Sequence, residues 1–227
     1  MAQLGYVAHA GARAMTLRRS GTVGVAVPTI DNAIFASGLQ AFQRRMAQAG
    51  QVVLLAFSDN DRAAERVAGV HEALAGAGLA LAPQHLCEAR YTLADARRAT
   101  GLILGHAPAP TALVCGNDVL AFGAMLECAA QGLDVPGEVS VVGFDDLDLA
   151  RQWRPALTAV QVPTEAIWTL AADYLLARLD GSLASAQREI DVDLLVRAST
   201  GPVPGQVATA TRRAAGTSGT ARPGRRA

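Results

Sequence analysis

Residues 110–146 read PTALVCGNDVLAFGAMLECAAQGLDVPGEVSVVGFDD, and this stretch decides the fold class. Ala112 to Cys115 is a short apolar run of strand length, followed at once by the polar pair Asn117 and Asp118. Residues 118–131 have the composition of a helix, and Gly132 closes it as a C-terminal stop. Val139 to Gly143 (VSVVG) is the clearest strand of the chain, rich in β-branched residues. A strand, a helix and a second strand in such close succession form a parallel unit with a right-handed crossover.

The same alternation extends outward in both directions. Upstream, Thr22 to Val27 (TVGVAV) reads as a buried strand. Asp31 and Asn32 cap a helix in which Phe35, Leu39, Phe42 and Met46 share one face, and Gly50 ends it. Val52 to Phe57 (VVLLAF) is the next strand, and Asp61 opens a helix striped by Val67, Val70 and Leu74. Gln84 to Glu88 is a weak strand, and a helix spans about 94–104. Downstream, Leu157 to Val162 is a strand. Thr164 caps a helix with Ile167, Leu170, Ala171, Tyr174 and Leu175 inward, and Ile190 to Val196 is the last strand. Strands alternating with helices define an α/β fold with parallel sheets.

Composition narrows the function. The 227 residues are 51% hydrophobic and 18% charged, enough for a sizeable core. The formal net charge is +0, but no acid precedes Asp31 and none follows Asp193. Both ends are basic through arginine alone, which suits an anionic partner or a solvated tail. Cys87, Cys115 and Cys128 form no C-x-x-C pair, which argues against a disulfide framework or a zinc site and fits a reducing cytoplasm. Residues 1–20 lack the apolar core of a signal peptide, and no apolar run is long enough to span a bilayer.

Catalytic motifs are absent. No nucleophile elbow, phosphate-binding loop or zinc-protease helix occurs, and the four histidines show no ligand spacing. No metal and no cofactor are expected, and an enzyme is disfavoured. What remains is polar residues at strand C-termini, where ligands bind in open α/β sheets. Asn32 follows the first strand, Asn117 and Asp118 follow ALVC, and Asp145 and Asp146 follow VSVVGF. Amides and carboxylates gathered beside an aromatic suit a polyhydroxylated ligand. Asp118 and Asp146 read more simply as helix caps, whereas Asn117 and Asp145 are favoured as ligand residues.

These motifs together resemble the LacI/GalR family of transcription regulators. Residues 21–35 (GTVGVAVPTIDNAIF) resemble the opening of that family's effector domain. ERVAGVHEAL around Arg66, residues 110–125, residues 132–146, PALTAVQVP (155–163) and LLVRAST (194–200) follow in the family's order. The resemblance implies two α/β lobes like those of a periplasmic sugar-binding protein, with an effector in the cleft. By motif, the effector residues are Phe35, Arg66, Tyr91, Asn117 and Asp145. Arg66 would chelate hydroxyls through its planar fork, or else form a surface pair with Glu65 or Glu72. Tyr91 would stack on the ligand or fill the lobe core, and Phe35 has the same two readings.

LGYVAHAGARAM (4–15) resembles the end of the family's DNA-binding module and its hinge helix. Met15 stands at the position of a minor-groove wedge, with Tyr6 and Arg13 near the DNA backbone. Set against the family, a missing helix-turn-helix ahead of this motif is expected, and residues 58–61 run directly into residues 62–70 where the family has a long intervening stretch. The expected organisation is therefore a DNA-binding and hinge remnant (1–19), an incomplete first lobe (20–60 plus 158–184), a second lobe (61–157 plus 185–200) and a disordered basic tail (201–227). The missing stretch predicts an open sheet edge and exposed apolar surface in the first lobe.

The resemblance implies a cytoplasmic, homodimeric, effector-responsive repressor of operator DNA, with a sugar as the expected effector and Phe122 and Met125 at the dimer interface. The alternatives are a sugar-binding protein without DNA activity and a non-functional remnant.

Overall fold

The structure is a computed structural model that describes residues 21–27, 33–57, 63–182 and 187–204. Tyr6, Arg13 and Met15 of the hinge motif, the caps expected at Asp31, Asn32 and Asp61, and the tail beyond residue 204 lie outside the described residues. The chain divides into two compact units, residues 1–64 with 163–192 and residues 65–162 with 193–227.

In the first unit, β1 (Thr22–Val27) and β2 (Val52–Phe57) pair in parallel, from Thr22 opposite Val52 to Val27 opposite Phe57. Between them runs α1 (Ala33–Gln48), which packs along α6 (Thr164–Leu179). Phe42, Met46 and Ala172 are buried at the centre, with Val23, Val25, Val53, Trp168, Leu175 and Leu176 around them. Phe42 meets Trp168 edge-on, with ring centroids 6.0 Å apart. Gly38 permits this helix pair, because any Cβ there would collide with the Trp168 indole. Alternate residues of the strands serve this core. Their other face leaves Val52 and Leu54 each 59% exposed, on a kind of sheet that is ordinarily covered on both sides. The expected exposed apolar surface is therefore found on this sheet.

In the second unit, β3 (Ala112–Val114), β4 (Ser140–Asp145), β5 (Thr158–Gln161) and β6 (Asp193–Leu195) lie in that order. The first three run parallel and β6 runs antiparallel. Two helices pack against each other here, α3 (Leu93–Leu104) and α4 (Asp118–Ala130). A third, α2 (Ala63–Gly76), precedes them, and the short α5 (Asp148–Gln152) follows β4. The core gathers Ala121, Phe122, Met125 and Cys128 of α4 with Val141, Leu157 and Ala159. Behind β4 and β5 the RAST segment acts as a polar rivet. Ser199 Oγ donates to the Val141 carbonyl at 2.6 Å and accepts the Thr158 amide at 2.8 Å.

Several expectations are corrected. Strand 158–162, assigned from sequence to the first lobe, pairs with β4 in the second unit, and the chain passes to the first unit only at Pro163. Gln84 to Glu88 forms no strand, because Pro83 starts a single 3-10 turn over Pro83–His85. The last strand contracts to Asp193–Leu195 and is antiparallel. Thr164 begins α6 without acting as its side-chain cap. The inward stripe of α6 is Trp168, Ala172, Leu175 and Leu176, not one through Leu170 and Ala171.

Candidate ligand site

The site is built where β3 and β4 end. Asn117 has extended backbone and caps α4: its Oδ1 accepts the Leu120 amide at 2.9 Å. That bond satisfies one of the orphan donors of the first helical turn. The other end of the amide, Nδ2, is closed to solvent and has no acceptor. A desolvated donor without a partner costs about 1–3 kcal/mol.

Asp118 was expected to be the cap and is not. It is wholly buried, and its Oδ2 crosses to accept the Leu147 amide at 2.6 Å, beyond the end of β4. Burial is the main cause that pushes its carboxyl up to about 7. Repulsion from Asp145 and Asp146 adds to the rise, while the Leu147 and Phe144 amides oppose it. Cys115, at the end of β3, has its thiol pushed up to about 12 by burial and by the nearby Cys128 and Asp118. It is therefore a poor nucleophile at neutral pH.

Asp145 and Asp146 both adopt positive φ, 109° and 54°. Non-glycine residues hold such conformations at a cost of about 1–3 kcal/mol each, so the surroundings must enforce them. They do so at Asp146, whose buried carboxylate is an ion-pair anchor and not the expected helix cap. Arg197 approaches it at 2.6 Å, Gln161 donates to it at 3.0 Å, and Arg151 lies 3.5 Å away. Arg197 also donates to the Leu157 carbonyl at 2.7 Å, which ties the turn to the start of β5. Asp145 itself is 8% exposed.

Arg66 arrives from α2. Its guanidinium carbon lies 4.6 Å from the centroid of Phe144, the residue preceding Asp145. This cation–π contact fixes the charge at the same strand end. Asn117 thus follows β3, Asp145 ends the neighbouring β4, and Arg66 lies over Phe144 of β4. Tyr91 is 37% exposed just before α3, and Phe35 is half-buried on α1 in the first unit. Phe122 and Met125, expected at a dimer interface, are core residues only 3% and 4% exposed, and Phe122 stacks on Trp153 at 4.9 Å. Asp118, Gln161 and Arg197 were missed as site residues. The sequence reads Asp118 as a cap, and it marks Gln161 and Arg197 only by their place in the PALTAVQVP and LLVRAST motifs. A shallow groove elsewhere, between α3 and α4, is lined by Arg97, Arg98, Leu102 and Glu127. Among the described residues, no group of three His, Cys, Asp or Glu side chains could hold a metal ion.

Comparison with known proteins bears on the family and the fold. The model of the periplasmic binding protein-like domain matches residues 40–200. The Escherichia coli K12 transcriptional repressor CytR is 34% identical over 140 residues, 61% of this chain and 41% of that repressor, so the chain spans well under half of that relative's length. The crystal structure of the Escherichia coli repressor AscG superposes with a TM-score of 0.69 at 21% identity, covering 78% of this chain and 98% of that one. A complex of the regulator CelR with cellobiose gives a TM-score of 0.68 at 19% identity, covering 87% and 88%.

Proposed function

Because the chain belongs to the periplasmic binding protein-like domain family, in the form found in LacI-family regulators, we propose that it is an effector-responsive transcriptional repressor or a piece of one. The second unit supplies the effector site. Asn117 Nδ2 and the Arg66 fork donate, and the Asp145 carboxylate accepts. Together they suit the hydroxyls of a sugar or similar polar metabolite. The observation that carries this reading is the Asn117 amide: one end caps α4 and the other is a buried donor still without an acceptor. In native folds such a donor is ordinarily completed by an ordered water or by a ligand group.

The chemistry at the strand ends is binding, not catalysis. The cysteine present there holds its proton, and the Asp118 and Asp146 carboxylates are tied into the scaffold. Operator DNA and a second copy of the chain are the proposed macromolecular partners, and the cytoplasm is the proposed compartment. No described helix is long and apolar enough to cross a membrane. In a full-length regulator, effector binding would be coupled to DNA affinity through two global states.

Isothermal titration with cellobiose, and then with a panel of monosaccharides and nucleosides, tests the effector role. Saturable heat that weakens in Arg66→Ala and Asp145→Asn supports it. Heatless titrations across the panel would sink it. The same titrations on Tyr91→Ala and Phe35→Ala decide whether those aromatics contact the ligand.

A further inference from the structure

The candidate site is carried by two loops, and one side chain joins them. Asp118 sits beside Asn117 at the start of α4, and its Oδ2 accepts the Leu147 amide at 2.6 Å, two residues past Asp145. The residue is 0% exposed, and its Oδ1 is closed to water without a well-formed hydrogen bond. Gly143 leaves room for it, since any Cβ there would collide with Oδ1. The turn it grips is the one in which Asp145 and Asp146 both take positive φ.

We propose that Asp118 is the positioning residue of this site: its carboxylate holds the Asp145 turn against the helix end that carries Asn117. The proposal rests on the reading of Asn117 and Asp145 as ligand residues. An ionised carboxylate accepts a shorter, stronger hydrogen bond from the Leu147 amide than a neutral carboxyl does. Opposing ionisation are burial and the negative charges of Asp145 and Asp146 from β4 and its turn; from the end of β3, the Cys115 thiol also faces Asp118. Of the cations at this end of the sheet, Arg197 and Arg151 are engaged by Asp146 and Arg66 lies over the Phe144 ring. The Leu147 and Phe144 amides favour ionisation. These effects balance near neutral pH, so the grip tightens as pH rises through about 7 and slackens below it.

The test is an amide-shift titration of the isotopically labelled chain from acid to alkaline pH, followed at Leu147 and Asn117. Both amides should inflect together near pH 7. Asp145→Asn should move the inflection to lower pH by removing one like charge, and Asp118→Asn should abolish it. A native Leu147 amide that does not inflect, or one that inflects unchanged in Asp118→Asn, overturns the proposal. The native and Asp145→Asn titrations decide the matter even if Asp118→Asn fails to fold. Calorimetry with cellobiose separates this from the functional reading. Affinity should be higher at alkaline than at acid pH, by at most about fivefold because the bond is weakened and not lost, and independent of pH in Asp118→Asn. Equal affinity at both pH values would show that the grip does not position the site. Absence of cellobiose binding beside an intact inflection counts against that ligand class and leaves the grip established.

Discussion

Asn117 performs two tasks with opposite ends of one amide, and two substitutions separate them. In Asn117→Ala the cap is lost: the Leu120 amide loses an acceptor held at 2.9 Å. Removing a cap of this kind costs about 1 kcal/mol, with a range of roughly 0.5–2. In Asn117→Ser a hydroxyl oxygen can still accept at the helix start, so the cost should fall to a few tenths of a kcal/mol. Neither variant retains Nδ2. If that donor serves a ligand, both lose one hydrogen bond to it, about 1–1.5 kcal/mol or roughly 5–10-fold in affinity. Urea denaturation measures the first quantity and titration calorimetry the second. The expected pattern is unequal stability loss with equal affinity loss. Asn117→Ser with native affinity would refute the assignment of Nδ2 to the ligand. Asn117→Ala with native stability would refute the cap.

Ser199→Ala should destabilise the second unit by about 2–4 kcal/mol in urea, because it strands the buried Thr158 amide and the Val141 carbonyl together; a loss under about 0.5 kcal/mol would show that the rivet is idle. Gly143→Ala should be still less tolerated, since its Cβ meets Asp118, Leu157 and Ala121, and soluble expression at native yield would contradict that packing. Stability should also depend on pH through Asp118. Its folded value of about 7 lies above the 3.8 of an ordinary aspartate, so the folded chain binds the extra proton between those values. Stability from this group is therefore greatest below about pH 4, falls as pH rises through about 7, and is level above it; the span is on the order of 4 kcal/mol. Urea midpoints at stepped pH should show this decline in the native chain and its absence in Asp118→Asn. Leu54→Lys, on the uncovered face of the β1–β2 sheet, should leave the melting temperature within about 2 °C and slow self-association in light scattering, whereas a large drop in stability would mean that face is covered.

Where the side-chain period was sharp, the sequence was a good guide. VSVVGFD alternates strictly between half-buried and buried in β4, so its terminal aspartates could be placed at a strand end before any coordinates. Thr92, Leu93 and Leu104 bound α3 within a residue of the expected helix. Failures came where the period was silent. The α4 helix is apolar nearly all round, so pattern could not tell that Phe122 and Met125 face Trp153 and the sheet and not a partner chain. Strand 158–161 lies next to the crossover between units, and which sheet it joins is a tertiary fact: its amides pair with β4, and Ser199 fastens it from behind. The LLVRAST motif marked Arg197 but not its role, because its partner Asp146 lies far away in sequence. The cap fell to Asn117 instead of Asp118 because an adjacent Asn and Asp are both good caps, and only backbone direction decides which oxygen reaches the Leu120 amide.

The proposed convergence of Arg66, Asn117 and Asp145 at the ends of β3 and β4 can be tested directly by mapping resonance shifts as cellobiose is added to labelled chain. The largest changes should fall on the Asn117 side-chain amide, the Arg66 Nε and the Asp145 backbone amide, saturating with one dissociation constant. Saturable shifts confined to the groove at Arg97, Arg98 and Leu102, with those three signals unmoved, would contradict the account.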